Sequence, residues 1–581
     1  MDVIATAGHV DHGKSALVRA LTGMEPDRWA EERRRGLTID LGFAWTTLPS
    51  GRRLAIVDVP GHERFVGNML AGVGSVPAAL VVVAADDGWS AQTAEHVAVL
   101  DALGVRHAVL AVTKSDVADP AAVLADARER LAVTSMGAVP AVAVSARTGV
   151  GLPALVAALD GLLAGLPDPD LEAPVRLWVD RAFTIRGAGT VVTGTLAAGS
   201  VAPGDRLLLG NREVAVRGVQ SLGAPVERAD ATARVALNLR GVAVEELSRG
   251  DALLTPGAFR ATQLVDVVLA AEPPDRLPAE AVVHVGSATV GARLRPLDGA
   301  VVRLRLAAPL PLRVGDRLLL RDPGSRRVYG ADAVDVDPPE LHRRGAARQR
   351  AAELAARPAG PAAASAELAR RRVVRADEFT AMGWPVPDDA TVSGPWLLAA
   401  GLADELAARV PQVVARYRQL RPLEPGPPAE VLRRALDLPD ADLLEAVVRP
   451  PLVLRDGRVV DDTAALPAEV QRAVDEIRGR LAADPFAAPE APDLVAAGLA
   501  SRELAAAVRS GQLVRIADGV YLAPDVADRA RARLAALPEP FTLSQARQAW
   551  GTSRRVAVPL MEWLDGRGVT ERLADNTRRL R

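Results

Sequence analysis

Gly8-His9-Val10-Asp11-His12-Gly13-Lys14-Ser15 comes soon after the apolar run Val3-Ile4-Ala5 and opens a stretch with helical spacing from Ala16. Two glycines framing four residues, then lysine and a hydroxyl, fit G-x-x-x-x-G-K-S/T, and a strand before with a helix after is the context that pattern requires. Backbone N–H groups from Gly8 through Ala16 are expected to converge on phosphate oxygens, aided by the dipole of the helix N-terminus. Lys14 then neutralises β- and γ-phosphate charge, and Ser15 ligates Mg2+.

Outward from that loop, further apolar runs alternate with helical stretches: Leu54-Ala55-Ile56-Val57, Leu80-Val81-Val82-Val83, Val109-Leu110-Ala111-Val112 and Val142-Ala143-Val144. Runs that are apolar throughout suit a parallel sheet covered on both faces, so residues 1–168 read as an α/β P-loop domain. Pro167-Asp168-Pro169-Asp170 ends it. Within it, Thr38 of Arg35-Gly36-Leu37-Thr38-Ile39-Asp40 is expected to complete the Mg2+ shell when a γ-phosphate is present. Asp58 closes a buried strand and is expected to hold a metal-bound water, while the Gly61 N–H meets the γ-phosphate. His62 follows directly, placed to orient the attacking water as the catalytic residue. In Thr113-Lys114-Ser115-Asp116, Asp116 can accept two hydrogen bonds from the guanine edge that adenine does not offer, and the Lys114 stem can lie along the base. Ser145-Ala146-Arg147 can present a backbone N–H to guanine O6. GTP is therefore the expected nucleotide, bound where the strands of an open α/β sheet end.

With 581 residues the chain is too long for one core. A net charge of -2 excludes a uniformly basic nucleic-acid binder, though not a local basic patch. The absence of cysteine removes disulfides, thiolate catalysis and Cys-ligated zinc, as suits a reducing compartment, and a cytoplasmic protein is expected. Met1-Asp2-Val3-Ile4-Ala5 lacks a secretory signal pattern, and the apolar run Ala78 to Ala85 is far short of a span, so no membrane is expected. Of 70 basic residues only Lys14 and Lys114 are lysine, and both lie in nucleotide motifs.

Beyond Leu171, valine- and leucine-rich strands separated by glycine turns indicate two antiparallel β-barrels, at 172–261 and 262–338. Gly204-Asp205-Arg206-Leu207-Leu208-Leu209 recurs as Gly315-Asp316-Arg317-Leu318-Leu319-Leu320, one copy in each. The alanine- and arginine-rich remainder reads as a C-terminal row of winged-helix domains at 340–404, 405–465, 466–523 and 524–581. Two stretches have a strand, an Asp-Gly turn and a strand, around Asp456-Gly457 and Asp518-Gly519.

The motifs at Gly8–Ser15, Arg35–Asp40, Asp58–His62 and Thr113–Asp116 together resemble the translational GTPases. Their guanine motif usually begins with Asn where this chain has Thr113, a departure that recurs in the selenocysteine-specific elongation factors. The stretches Met1–His9, Gly36–Phe43 and Val179–Gly194 are similar to that family as well. The resemblance implies ribosome-stimulated GTP hydrolysis and a hydrophobic gate at Val10 and Leu37. It also implies a selenocysteine pocket at Asp180, Arg181 and Arg234, which would favour an anionic selenolate over serine. The partners it implies are selenocysteinyl-tRNA, the ribosome and a hairpin in selenoprotein mRNA, with a monomer expected. From Pro524 to Arg581 there are eleven arginines against seven acids, a net +4. Within that stretch Gly551–Leu564 resembles the second helix of the family's last winged-helix unit, with Arg554 and Arg555 available to the hairpin. Two other readings stay open: a carrier of general aminoacyl-tRNA or initiator tRNA, and a GTP-gated regulator whose winged helices bind nucleic acid.

Overall fold

The computed structural model describes residues 2–26, 38, 40–62, 66–74, 76–187, 189–271, 277–461 and 466–581. They divide into two units, Met1–Ala366 with Arg375–Pro387, and Glu367–Val374 with Asp388–Arg581.

The first unit opens with six strands, β1 (Asp2–Ala7), β2 (Gly42–Thr47), β3 (Arg53–Asp58), β4 (Ala78–Ala84), β5 (His107–Thr113) and β6 (Ala141–Ala143). Their order across the sheet is β2-β3-β1-β4-β5-β6, with β2 antiparallel to β3 and the rest parallel. Helices α1 (Lys14–Thr22), α2 (Val66–Val73), α3 (Ala91–Ala102), α4 (Ala121–Ala132) and α5 (Leu152–Ala164) connect them. Runs apolar at every position bury both faces, as parallel sheets require. Val3, Ala5 and Ala7 enter one core with Val81 and Val83, while Ile4 enters the other with Leu80 and Val82. The C-terminal ends of β1, β3 and β5 therefore emerge along one edge of the sheet, carrying Gly8, Asp58 and Thr113.

Two antiparallel β structures follow. The first is an eight-stranded sheet with a two-stranded companion, and the second is a closed six-stranded barrel opening at Arg260–Leu269. The duplicated Gly-Asp-Arg-Leu-Leu-Leu stretch builds the same turn in each. The N–H groups of Gly204 and Gly315 donate across to Val216 and Ala333 at 2.8 Å. Asp205 and Asp316 each accept from the backbone N–H three residues earlier, at 2.8 and 2.7 Å. One copy has gained a further duty: Asp316 takes both terminal nitrogens of Arg176, tying the two β structures together.

The helix Ala346–Ala355, within the stretch 340–404 that sequence assigns to the first winged-helix domain, packs on the closed barrel. Ala351 and Leu354 cover Leu297 and Val301, and Arg350 is buried against Asp266 (3.0 Å) and Asp335. Arg303 holds the other side of Asp266 at 2.7 and 3.0 Å. Helical spacing announces such a helix but not the surface it will cover.

In the second unit, helices alternate with short antiparallel strand pairs at Thr391–Ser393/Trp396–Leu398, Leu452–Arg455/Arg458–Asp461, Val514–Ala517/Val520–Leu522 and Thr570–Arg572/Arg578–Leu580. Asp456-Gly457 and Asp518-Gly519 are the turns of the second and third pairs. From Val470 to Leu564 the core is continuous, with Phe486 stacked on Trp550 at 5.8 Å. Among the described residues no helix is long and apolar enough to cross a membrane.

Candidate nucleotide site and amino-acid pocket

The loop between β1 and α1 is shaped by what it passes. Gly8 has φ +139°, and a Cβ there would lie 2.2 Å from the Val82 carbonyl oxygen, so the chain leaves β1 pressed against β4. The Gly8 N–H donates to His96 Nδ1 on α3 at 3.1 Å. Burial, with the charge of Lys14 nearby, lowers the His96 pKa to about 3, so the ring is a neutral acceptor. His9 contacts Gln92, Val10–His12 form a short 3-10 turn, and buried His12 meets Asp87 at 2.9 Å. Asp11 lies exposed within that turn. Gly13 leads into α1, where Lys14 is buried and its ammonium donates to the carbonyls of Gly8 (3.0 Å) and His9 (2.9 Å). The ammonium thus sits inside the loop whose N–H groups are expected to surround phosphate, and Ala16 continues the helix behind it.

Three oxygen-bearing side chains converge beside α1. Ser15 Oγ donates to Asp58 Oδ2 at 2.6 Å and lies 3.0 Å from Thr38 Oγ1. Thr6 fixes the other carboxylate oxygen at 2.7 Å while accepting from the Val59 N–H. Burial pushes the Asp58 pKa up, against the opposing pull of Lys14, Ser15 and Thr6. A cation held there would offset the cost of burying that carboxylate. An octahedral Mg2+ with bonds of about 2.1 Å holds neighbouring ligands about 3 Å apart, which is the Ser15–Thr38 separation, and hard oxygen donors are its preferred set. The residues fit the ion. Leu37, the second gate residue expected from sequence, lies outside the described residues. A Cβ on Gly61 would lie 2.4 Å from Lys14 Nζ and 2.6 Å from the Val10 nitrogen. The backbone preceding His62 therefore crosses directly over Lys14 and Val10.

On the far side, the Thr113 hydroxyl donates to the His12 carbonyl at 2.7 Å, joining the phosphate loop to the base loop. Lys114 pairs with Asp86 at 3.0 Å. Asp116 accepts from the Arg147 guanidinium at 2.6 and 2.8 Å, and hydrogen bonds from Ser145 and Arg147 hold its carboxyl below the usual range. The Arg147 side chain thus occupies the carboxylate that sequence assigns to guanine, and Ala146 lies between it and the buried Ser145.

A second site lies where β2 faces the eight-stranded sheet. A cavity of about 170 Å3 is lined by Phe43, Trp45, Arg181, Phe183, Thr193 and Arg234 among others. The guanidinium carbons of Arg234 and Arg181 stand 4.0 and 5.6 Å from the Phe43 ring centre. Asp180 holds Arg234 through both carboxylate oxygens and accepts from Thr193 at 2.7 Å. Arg181 donates to Asp40 at 2.9 Å.

Residues 1–164 match the family model described as elongation factor Tu GTP binding domain. Residues 262–340 match the β-barrel domain of selenocysteine-specific elongation factor, and 532–580 match a winged helix of elongation factor SelB. The selenocysteine-specific elongation factor of Escherichia coli (strain K12) is 38% identical over 464 residues, 76% of this chain and 74% of that protein. The chain belongs to the selenocysteine-specific elongation factors. The factor of this name from Desulfomicrobium baculatum is 40% identical over 55% of this chain and 53% of its own length. A crystal structure of a bacterial selenocysteine-specific elongation factor, EF-Sec, superposes with a TM-score of 0.80 at 26% identity, covering all of both chains. As a member of this family the chain is a translational GTPase that works in elongation.

For a selenocysteine-specific elongation factor, the two terminal arginines singled out from sequence differ in their surroundings. Arg554 is exposed at the start of Arg554–Gly566. Arg555 donates to the carbonyls of Ala488 (2.6 Å), Pro489 (3.4 Å) and Gly519 (3.1 Å), which commits it to holding neighbouring segments together. Arg578 is buried beside Asp565, and Arg579 and Arg581 share Glu571. Arg578, Arg579 and Arg581 are thus engaged with acids of the same stretch, acids already counted in its net +4. Sequence motifs did not single out Thr6, His96, Asp87 or Arg249, whose partners here are 52 to 209 residues away along the chain.

Proposed function

We propose that this elongation factor binds GTP with Mg2+ and carries selenocysteinyl-tRNA to the ribosome at recoded stop codons, while its last winged-helix unit grips a hairpin in the messenger. Ser15 and Thr38 would hold the ion directly and Asp58 through water. The ion's chemistry there is charge neutralisation of the phosphates. Lys14 and the loop N–H groups bind phosphate, Gly61 senses the γ-phosphate, His62 orients water, Val10 and Leu37 are the gate that the family resemblance implies, and Asp116 selects guanine once Arg147 yields. Catalysis on this reading is positioning and electrostatics. The four strand pairs of the second unit support a division into four winged-helix units, the last carrying Arg554. Gripping messenger and tRNA together raises the effective concentration of the cargo at one codon.

The observation that carries the amino-acid specificity is the cavity at Phe43: the guanidinium groups of Arg181 and Arg234 line it, while their carboxylate partners Asp40 and Asp180 are not among the lining residues. A selenolate is an anion at neutral pH, whereas a serine hydroxyl is not, so the fixed cations favour the former. With the protein loaded with a nonhydrolysable GTP analogue, selenocysteinyl-tRNA is expected to displace seryl-tRNA on the same tRNA body. Equal binding of the two removes the specificity. His62→Ala is expected to keep GTP binding and lose ribosome-stimulated turnover by about 10²-fold or more, and an undiminished stimulated rate excludes that role.

A further inference from the structure

Arg249 belongs to neither set of site residues, yet its guanidinium touches three separate parts of the machinery. Nη2 donates to Asp40 Oδ1 at 2.7 Å, Nη1 to Asn68 Oδ1 at 2.5 Å, and Nε to the Asp180 carbonyl at 2.9 Å. Asp40 stands two residues after Thr38, whose hydroxyl meets Ser15. Asn68 lies on α2, shortly after His62. Asp180 carries the carboxylate that holds Arg234 at the cavity. Asp40 is shared, because Arg181 donates to its other oxygen at 2.9 Å and to the Leu41 carbonyl at 3.2 Å.

We propose that Arg249 is the positioning residue through which the segments at Thr38 and His62 set the state of the amino-acid pocket. This rests on the function proposed above and adds its route of control. A single exposed arginine–carboxylate pair contributes little. Here one planar fork fixes acceptors from three segments, an arrangement that the compact ammonium of lysine does not reproduce. When either nucleotide-responsive segment shifts, Arg249 gives up a bond and the Asp180 peptide loses its anchor. Withdrawal of Asp40 also strips Arg181 of its counter-ion, so the charge beside Phe43 changes with the nucleotide. Coupling of this kind is reciprocal: the nucleotide that tightens the tRNA site is itself tightened by bound tRNA.

The test is the affinity of the full-length protein for selenocysteinyl-tRNA with a nonhydrolysable GTP analogue and with GDP. Wild type, Arg249→Ala, Arg249→Lys, Asp40→Asn and the double variant Arg249→Ala/Asp40→Asn are compared. The ratio of the two affinities is expected to fall by about tenfold or more in Arg249→Ala, with lysine failing to restore it. Arg249→Ala is expected to unfold in urea with the cooperativity of wild type, which a general loss of structure would not allow. The double variant is expected to lose no more than the worse single one, as residues acting through one joint do. A wild-type ratio in both single variants, or additive losses in the double, overturns the proposal. Should Arg249→Ala not fold, Asp40→Asn and Asn68→Ala carry the same measurement. A wild-type protein that itself fails to discriminate GTP from GDP removes the underlying function instead, so the two failures are distinguishable.

Discussion

His96 shows how one side chain can tie nucleotide chemistry to pH. Its folded pKa, about 3, lies below the ordinary value of 6.5 because the ring is buried. Between those values the unfolded chain takes up a proton that the folded chain refuses, so stability falls as pH drops through that window. From pH 6.5 to 5 the loss is about 2 kcal/mol. His96→Asn keeps an acceptor for the Gly8 N–H and cannot titrate. Urea unfolding of this variant at pH 7.5 and 5 is expected to show an acid loss smaller by about that amount than wild type, and an identical pH slope would exclude the assignment. The motif residues were legible because each motif is a short local pattern bound to a strand end. His96, Thr6 and Arg249 were not, since each acts on a partner supplied by a distant segment, and no local spacing records which segment the fold brings near.

At the scale of elements, the duplicated turn at Gly204 and Gly315 and the Asp-Gly strand pairs were readable, because tight turns demand particular residues within a few positions. Surfaces shared between helices were not. The continuous core from Val470 to Leu564 needed Phe486 to meet Trp550, and Arg555 belongs to that same junction. The two arginines should therefore separate by experiment. Arg555→Ala leaves the carbonyls of buried Ala488 and Pro489 without their donor and is expected to destabilise the second unit by roughly 1–3 kcal/mol. Arg554→Ala is expected to leave stability unchanged, weaken hairpin binding and lower the slope of log affinity against log salt by about 1. The reverse pattern in melting and filter-binding experiments would exchange the two roles.

For the molecule as a whole, the order of its parts was legible from changes in composition along the chain, whereas the helix that covers the closed barrel beyond its last strand was not. Arg350 makes the difference. A chain stopped at Pro338 strands Asp335 without its buried partner, leaves Asp266 with Arg303 alone and uncovers Leu297 and Val301. A chain stopped at Pro358 keeps them covered. The shorter is expected to unfold at lower urea, by roughly 3–5 kcal/mol, because removing one partner leaves charge buried and uncompensated. Equal midpoints would show that Ala346–Ala355 is a passive appendage. Finally, the rarity of lysine gives this protein a built-in handle. Of the lysines, one is buried against the phosphate loop and the other leans on Asp86 at the base loop. A protease that cuts only after lysine can cleave the whole chain at just two bonds, both at the proposed nucleotide site, so its digestion pattern is expected to report occupancy without any label.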